Sequence, residues 1–375
     1  MRRTLIATIF PSVLLPLVLA ASSVADVQAT GDGCFDNPVI AENFPDPTFW
    51  KGDDGWYYGT ATGLQTIRRS RDLVTWEDTG VHPLQEADLA ELRKFSGNFW
   101  APDVIRVGKT YNLYFTQFVS SDTNRLVCAT SDRAEGPFKV RSIVLESWKR
   151  GKRDCAIDAE VVESDGRLWM FVGSVAGGVW RTWLTADGLG IDPSASFEHV
   201  AGLIPKFDER SWIYSHACYE GSYVFRRGRW WYLVVSSGAI NDGSYRLFVG
   251  RSDRIDGVFR DRQGYAMTES GGERLLRTNP DSEFSGSGHN GDVFEDADGR
   301  TYMFIHSQWK GLPPKKGSWR SGPRCTSLQE MKWREDGWPY FETGALVKRE
   351  RRPNLPSSAE RLTVDYNNGE WRLEK

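Results

Sequence analysis

Asp54-Gly55-Trp56-Tyr57-Tyr58 is a tight turn that runs into aromatic strand residues, and the chain repeats it four more times. The copies are Val107-Gly108-Lys109-Thr110-Tyr111, Asp165-Gly166-Arg167-Leu168-Trp169, Arg227-Gly228-Arg229-Trp230-Trp231 and Asp298-Gly299-Arg300-Thr301-Tyr302. Successive turn glycines lie 53, 58, 62 and 71 residues apart. Short β-rich runs flank the turns, among them Tyr111–Phe115, Leu168–Val172, Trp231–Val235 and Tyr302–Ile305. A glycine turn between such runs signals a hairpin. One hairpin cannot bury its own face, and a repeat long enough for about four strands predicts blades packed radially. The fold class expected is therefore all-β, a five-bladed β-propeller. The most helix-like piece, Gln85–Lys94, reads as an excursion between the first and second blades.

Outward from the repeats, residues 1–25 read as an export signal. Arg2 and Arg3 precede an apolar run from Leu5 to Ala20, and Ser23-Val24-Ala25 supplies the small residues of a cleavage site. The run is short for a bilayer span and holds Pro11 and Pro16, which argues against a membrane anchor. No linker divides residues 26–375, which are expected to form a single catalytic domain, secreted to an extracellular or periplasmic space and monomeric. Cleavage removes two arginines and no acids, taking the net charge from −3 to −5. An acidic surface disfavours nucleic acid and anionic membrane as partners and suits a neutral ligand. The sixteen tryptophans have two readings, platforms for sugar rings or filling between sheets.

In a propeller the first strand of each blade lies nearest the axis, so residues just upstream of the five turns face one funnel. Acids recur there: Asp46, Asp103, Asp158 and Glu220, with Asp292 just beyond Gly288-His289-Asn290. Their neighbours are apolar or small, where an isolated carboxylate is costly. Each acid either caps strand-end amides, a reading that suits Asp103 in Ala101-Pro102-Asp103, or joins a convergent set. Glycoside hydrolysis needs such a set: one carboxyl protonates the leaving oxygen, while another activates water or attacks the sugar. A third carboxylate nearby raises the pKa of the acid by repulsion.

These motifs resemble glycoside hydrolase family 43, and within it the endo-1,5-α-L-arabinanases. The resemblance runs from about Asn37 to about Phe341. It is carried by Phe44-Pro45-Asp46-Pro47, Ser70-Arg71-Asp72-Leu73-Val74-Thr75-Trp76, Asn98-Phe99-Trp100-Ala101-Pro102-Asp103-Val104 and Ala156-Ile157-Asp158. Val172-Gly173-Ser174, the segment from Ser244-Tyr245-Arg246 to Ser252, Gly288-His289-Asn290 and Asp336-Gly337-Trp338-Pro339 continue it. It implies Asp46 as the base that activates water, Glu220 as the general acid and Asp158 as the acid that tunes and orients Glu220. It implies inversion at the anomeric carbon, with the Asp46 and Glu220 carboxyls about 6.5–9.5 Å apart. Trp100 and Phe99 are expected at the edge of the cleft, and Ser174 against a sugar hydroxyl. His289 is expected to help hold one calcium or sodium ion near the axis through waters, with no organic cofactor. The implied substrate is α-1,5-L-arabinan or a related hemicellulose or pectin side chain.

The chain also departs from the pattern. Pro45 replaces the usual histidine and is commoner among xylosidases and exo-acting arabinofuranosidases. Ala159 replaces proline, and Gly221-Ser222 replaces Ala-Pro. An exo-acting arabinofuranosidase or β-xylosidase is thus the alternative, and a non-catalytic sugar-binding propeller the reading from another class. Of the five cysteines, Cys155 with Cys218 and Cys34 with Cys325 are the expected disulfides, buried thiols being the alternative.

Overall fold

The computed structural model describes residues 32–120, 123–147, 156–174, 177–203, 218–240, 243–277, 279, 281–312, 323–355, 362–365 and 370–373. The export signal and Cys155, and with it the Cys155–Cys218 pairing, lie outside the described residues. Five antiparallel sheets of four strands each follow one another in chain order. Their inner strands are Thr48–Lys51, Asn98–Val107, Glu160–Ser164, Glu220–Arg227 and Phe284–Glu295. The second strands are Tyr57–Thr60, Thr110–Ser120, Arg167–Ser174, Trp230–Ser237 and Thr301–Trp309. All five repeated turns are the hairpins joining these pairs, closed by Lys51↔Tyr57, Val107↔Thr110, Ser164↔Arg167, Arg227↔Trp230 and Glu295↔Thr301. The five-bladed propeller expected from the repeats is the fold.

The ring closes through the amino-terminal segment. Ile40 and Thr326, on the third strand of blade five, exchange both backbone hydrogen bonds at 3.1 and 3.0 Å. The buried Asn37 side chain donates to the Leu328 carbonyl and accepts from the Leu328 N–H, each at 2.9 Å. Cys34–Asp36 pairs with Arg349–Arg351 nearby. The expected Cys34–Cys325 disulfide is not formed. The Cys325 thiol is free, buried and packed against Ser307, with Sγ 3.5 Å from its hydroxyl. Backbone pairing fastens the amino end to the last blade in its place. Helix α1, Glu86–Arg93, falls where the excursion was expected, with Leu89 buried among side chains of blades one and two.

Packing follows from the blade geometry. The five hydrophobic clusters each lie between two adjacent blades, for example Trp50, Tyr58, Leu113 and Phe115 between one and two. Ten tryptophans belong to or pack on these clusters: Trp50, Trp56, Trp76, Trp169, Trp183, Trp230, Trp231, Trp309, Trp333 and Trp338. Arginines cover several, as Arg69 and Arg71 do Trp56 at 4.5 and 4.0 Å. Most of the indole content is therefore inter-blade filling with cation–π cover.

What sets the site is a repeated kink. Asp46, Ala101, Asp158, Gly221 and His289 occupy the equivalent place at the head of the five blades, and all have φ between 40° and 56°. In blades two, four and five this place coincides with a break in strand register, the signature of a bulge that re-aims side chains. Below these five residues lies a second ring, Thr48, Asp103, Glu160, Tyr223 and Asp292. Four of its members each accept a backbone N–H from the next inner strand round the axis. Asp103 holds Val161 at 2.9 Å, Glu160 holds Val224 at 3.5 Å, Tyr223 holds Val293 at 3.0 Å and Asp292 holds Phe49 at 2.6 Å. Asp103 and Asp292 thus belong to this lower, latching ring and not beside Asp46 and Asp158. The capping role is the right one for Asp103.

Candidate active site

Asp46 is 8% exposed and held by three chain-distant groups. Its Oδ1 accepts from Arg324 Nη1 at 2.6 Å, and its Oδ2 accepts from the Thr62 hydroxyl at 2.7 Å. Thr62 in turn accepts the Ala101 N–H at 2.9 Å, tying blade one to blade two. The Asp46 N–H donates to His306 Nδ1 at 3.1 Å, and His289 Nδ1 lies 3.5 Å from Oδ1. Burial alone would raise the pKa of Asp46, but the Arg324 guanidinium, with His289 and His306, outweighs it and holds the carboxyl well below its ordinary value. His306 is neutral, since burial and Arg324 push its pKa down to about 3.

Glu220 opens the inner strand of the fourth blade. It is half-buried at the head of blade four. Its Oε1 accepts from the Tyr245 hydroxyl at 2.8 Å and its Oε2 from the Ser174 hydroxyl at 3.1 Å. Burial pushes its pKa up against the pull of those two bonds, and the charge on Asp46 adds to the rise. Asp158 is raised further, by burial first and then by Glu220 itself. Its Oδ2 accepts the Gly221 N–H at 3.2 Å, which ties it to the residue next to the acid. One carboxyl with its pKa held down and one with its pKa pushed up is the division that acid–base catalysis requires.

Glycines let these groups approach. A Cβ on Gly288 would lie 2.3 Å from the Tyr245 ring, so the Gly288-His289-Asn290 motif exists partly to seat the tyrosine that holds Glu220. A Cβ on Gly221 would lie 2.9 Å from His289 Nδ1, at a φ of 56° that disfavours any side chain. Glycine after Glu220 thus leaves room for the His289 ring.

The predicted site residues divide as follows. Asp46, Asp158 and Glu220 come together with His289. Ser174 is there too, its hydroxyl donating to Glu220. Trp100 is partly exposed and stacks on Phe118 at 4.7 Å. Phe99 does not share that wall: it is 3% exposed and packs edge-on against Phe115 in the core, because successive strand residues point to opposite faces. Arg324, His306 and Thr62 escaped the sequence reading, and Tyr245 was quoted in a motif without a role. Alternation along the strand after the last turn was the only signal for His306, and Arg324 stands in no motif.

An axial cavity of about 20 Å³ opens between the two rings, lined by His289, Asp158, Glu160 and Ser222. That volume holds about one water-sized occupant. The Ser222 hydroxyl is buried there with no hydrogen-bond partner. Among the described residues no group of three or more His, Cys, Asp or Glu side chains is arranged to hold a metal ion. The lining offers oxygens to a hard cation, but the space takes one water-sized occupant and not an ion together with its shell of waters.

Removing the guanidinium should expose its effect on Asp46. In Arg324→Met the acidic limb of the kcat/KM profile is expected to move to higher pH by about 1–3 units, because burial then acts unopposed. A limb that stays in place would show that Arg324 does not set the ionisation of the base.

Carboxyls gathered at the axis of a propeller, with pKa values shifted in opposite directions, suit a glycosidase of the two-carboxylate kind. The chain matches the model of glycosyl hydrolases family 43 over residues 35–339, and it belongs to that family. It is 28% identical over 326 residues to the extracellular exo-α-(1→5)-L-arabinofuranosidase of Cellvibrio japonicus, covering 80% of this chain and 87% of that one. It is 24% identical over 349 residues to the extracellular endo-α-(1→5)-L-arabinanase of Thermotoga petrophila, covering 78% and 70%. In structure it is similar to the α-L-arabinanase of Cellvibrio cellulosa complexed with arabinohexaose, with a TM-score of 0.67, 24% identity and coverage of 81% and 96%.

Proposed function

We propose that this hydrolase acts outside the cell on α-1,5-L-arabinan or a related hemicellulose or pectin side chain, by single displacement with inversion. The observation that carries the reaction is the pairing of Asp46, held by Arg324 and Thr62 with its pKa lowered, with Glu220, held by Tyr245 and Ser174 with its pKa raised. Asp46 takes a proton from water as that water attacks the anomeric carbon. The glycosidic C–O bond breaks, and Glu220 gives its proton to the departing oxygen. Asp158 is a positioning residue that acts through Gly221. The names of the relatives support the sugar, and their extracellular naming agrees with the export signal read in residues 1–25. The exo-acting reading has one observation in its favour, the exo-acting relative in Cellvibrio.

A panel of linear 1,5-arabinan, xylan, galactan and aryl glycosides, with Asp46→Asn as control, tests this. Arabinan should be cleaved fastest, with oligomers early if cutting is internal and monomer alone if it is terminal. Binding of arabinan without release of reducing ends would leave a sugar-binding propeller instead. We propose further that His289 contributes one nitrogen to a calcium or sodium ion at the propeller axis, with waters on its open side. When bound, such an ion supplies positive potential beneath the acids. Calorimetric titration of chelator-treated protein with calcium should show one site, and no heat would dismiss it.

A further inference from the structure

We propose that Phe95 is a distal subsite for the substrate chain, reached by crossing the top of blade two from Trp100; this rests on the polysaccharide reading above. Phe95 is 61% exposed, a large apolar surface left in water at the rim that carries the site. Its position there follows from register. The inner strand of blade two starts at Asn98, beside Trp100, and Asn98 pairs with Phe118 near the end of the second strand. Gln117 pairs in turn with Arg125 at the start of the third strand, Thr123–Ser131. All these residues sit at the end of the blade where Thr62 bonds Ala101 beside Asp46.

The ring is fixed before any ligand arrives. The Gln117 amide donates to the Leu92 carbonyl at 2.8 Å and to the Ser96 carbonyl at 3.1 Å, stapling the backbone on both sides of Phe95. The Phe95 N–H closes the end of α1 on Leu92 at 3.0 Å. The Arg125 guanidinium covers the ring with its carbon 4.9 Å from the centroid, and Glu146 on the fourth strand holds Arg125 at 2.6 Å. Packing of the excursion is done by Leu89 and Leu92, so Phe95 is not needed for the core.

Trp100 and Phe118 stack at 4.7 Å on one face of blade two, and Phe95, backed by Arg125, lies on the face of Gln117, so a chain joining the two crosses the upper edge of the blade. An aromatic face held rigid by a cation behind it suits the apolar face of an uncharged sugar ring and loses little entropy on binding. The occupant is a furanosyl residue several units from the bond being cut. Long chains reach it and short ones do not.

The test is the chain-length dependence of KM for Phe95→Ala and Phe95→Trp on a ladder of 1,5-arabino-oligosaccharides. The ratio of KM on long chains to KM on the dimer is expected to rise about three- to ten-fold in Phe95→Ala, with kcat little changed. Phe95→Trp should restore or lower it. An unchanged ratio in Phe95→Ala, or an equal loss at every length, overturns the subsite. If the unaltered protein turns over no member of the ladder, the arabinan reading fails instead, and the subsite fails with it.

Discussion

Glu220→Gln is expected to lower kcat on arabinan by about 10²–10⁴-fold. The departing group is a sugar alkoxide, a poor leaving group that must receive a proton as the bond breaks, and an amide has none to give. The same substitution should cost far less on an aryl glycoside whose phenolate leaves unaided, so the ratio of the two losses isolates the proton-donating step. The pH profile gives an independent check. Glu220 has its pKa raised by burial, so the basic limb of the unaltered enzyme lies above the ordinary carboxyl range and should vanish in Glu220→Gln. The sign for stability runs the same way. A carboxyl whose folded pKa is raised favours the fold at low pH and ceases to do so as pH rises through that pKa, so the amide should match or exceed the acid in melting temperature at pH 8. Equal losses on both substrate types would remove Glu220 from the role of acid.

Asp46→Asn should be at least as damaging, with kcat down by about 10³-fold or more, and on aryl glycosides as well, because water must still be activated. Asparagine is the informative replacement. The φ of 48° at this position is one that asparagine tolerates and alanine resists. The amide also keeps an oxygen for Arg324 and Thr62. In the unaltered enzyme the first-formed sugar, followed by proton NMR, should have the anomeric configuration opposite to that of the substrate. A retained anomer would recast Asp46 as a nucleophile, and a variant with a tenth of normal activity would deny it either part.

How the site is reached from the sequence differs residue by residue. Asp46, Asp158 and Glu220 were legible because each stands eight or nine residues ahead of the glycine of a hairpin turn that local chemistry makes conspicuous. Asp103, also upstream of a turn but only five residues ahead of its glycine, went to the other ring. The left-handed kink in blade two falls on Ala101, two residues earlier, so the side chain of Asp103 points down the axis to Val161. Phe99 and Trp100, adjacent in the chain, parted to core and rim, since which face a strand buries depends on the neighbouring blade.

The five-fold repeat, the hairpins and the three reactive carboxyls were determined by the sequence itself, because turn glycines and strand alternation are local and survive without knowledge of partners. Which carboxyl has its pKa held down and which has it pushed up was decided only by the tertiary structure. Arg324 and His306 reach Asp46 from 278 and 260 residues away, and Tyr245 and Ser174 reach Glu220 from other strands and blades. The physical reason is that ionisation depends on burial and on charges a few ångströms away through space, and ring closure sets those distances with no trace in the chain on either side of each acid.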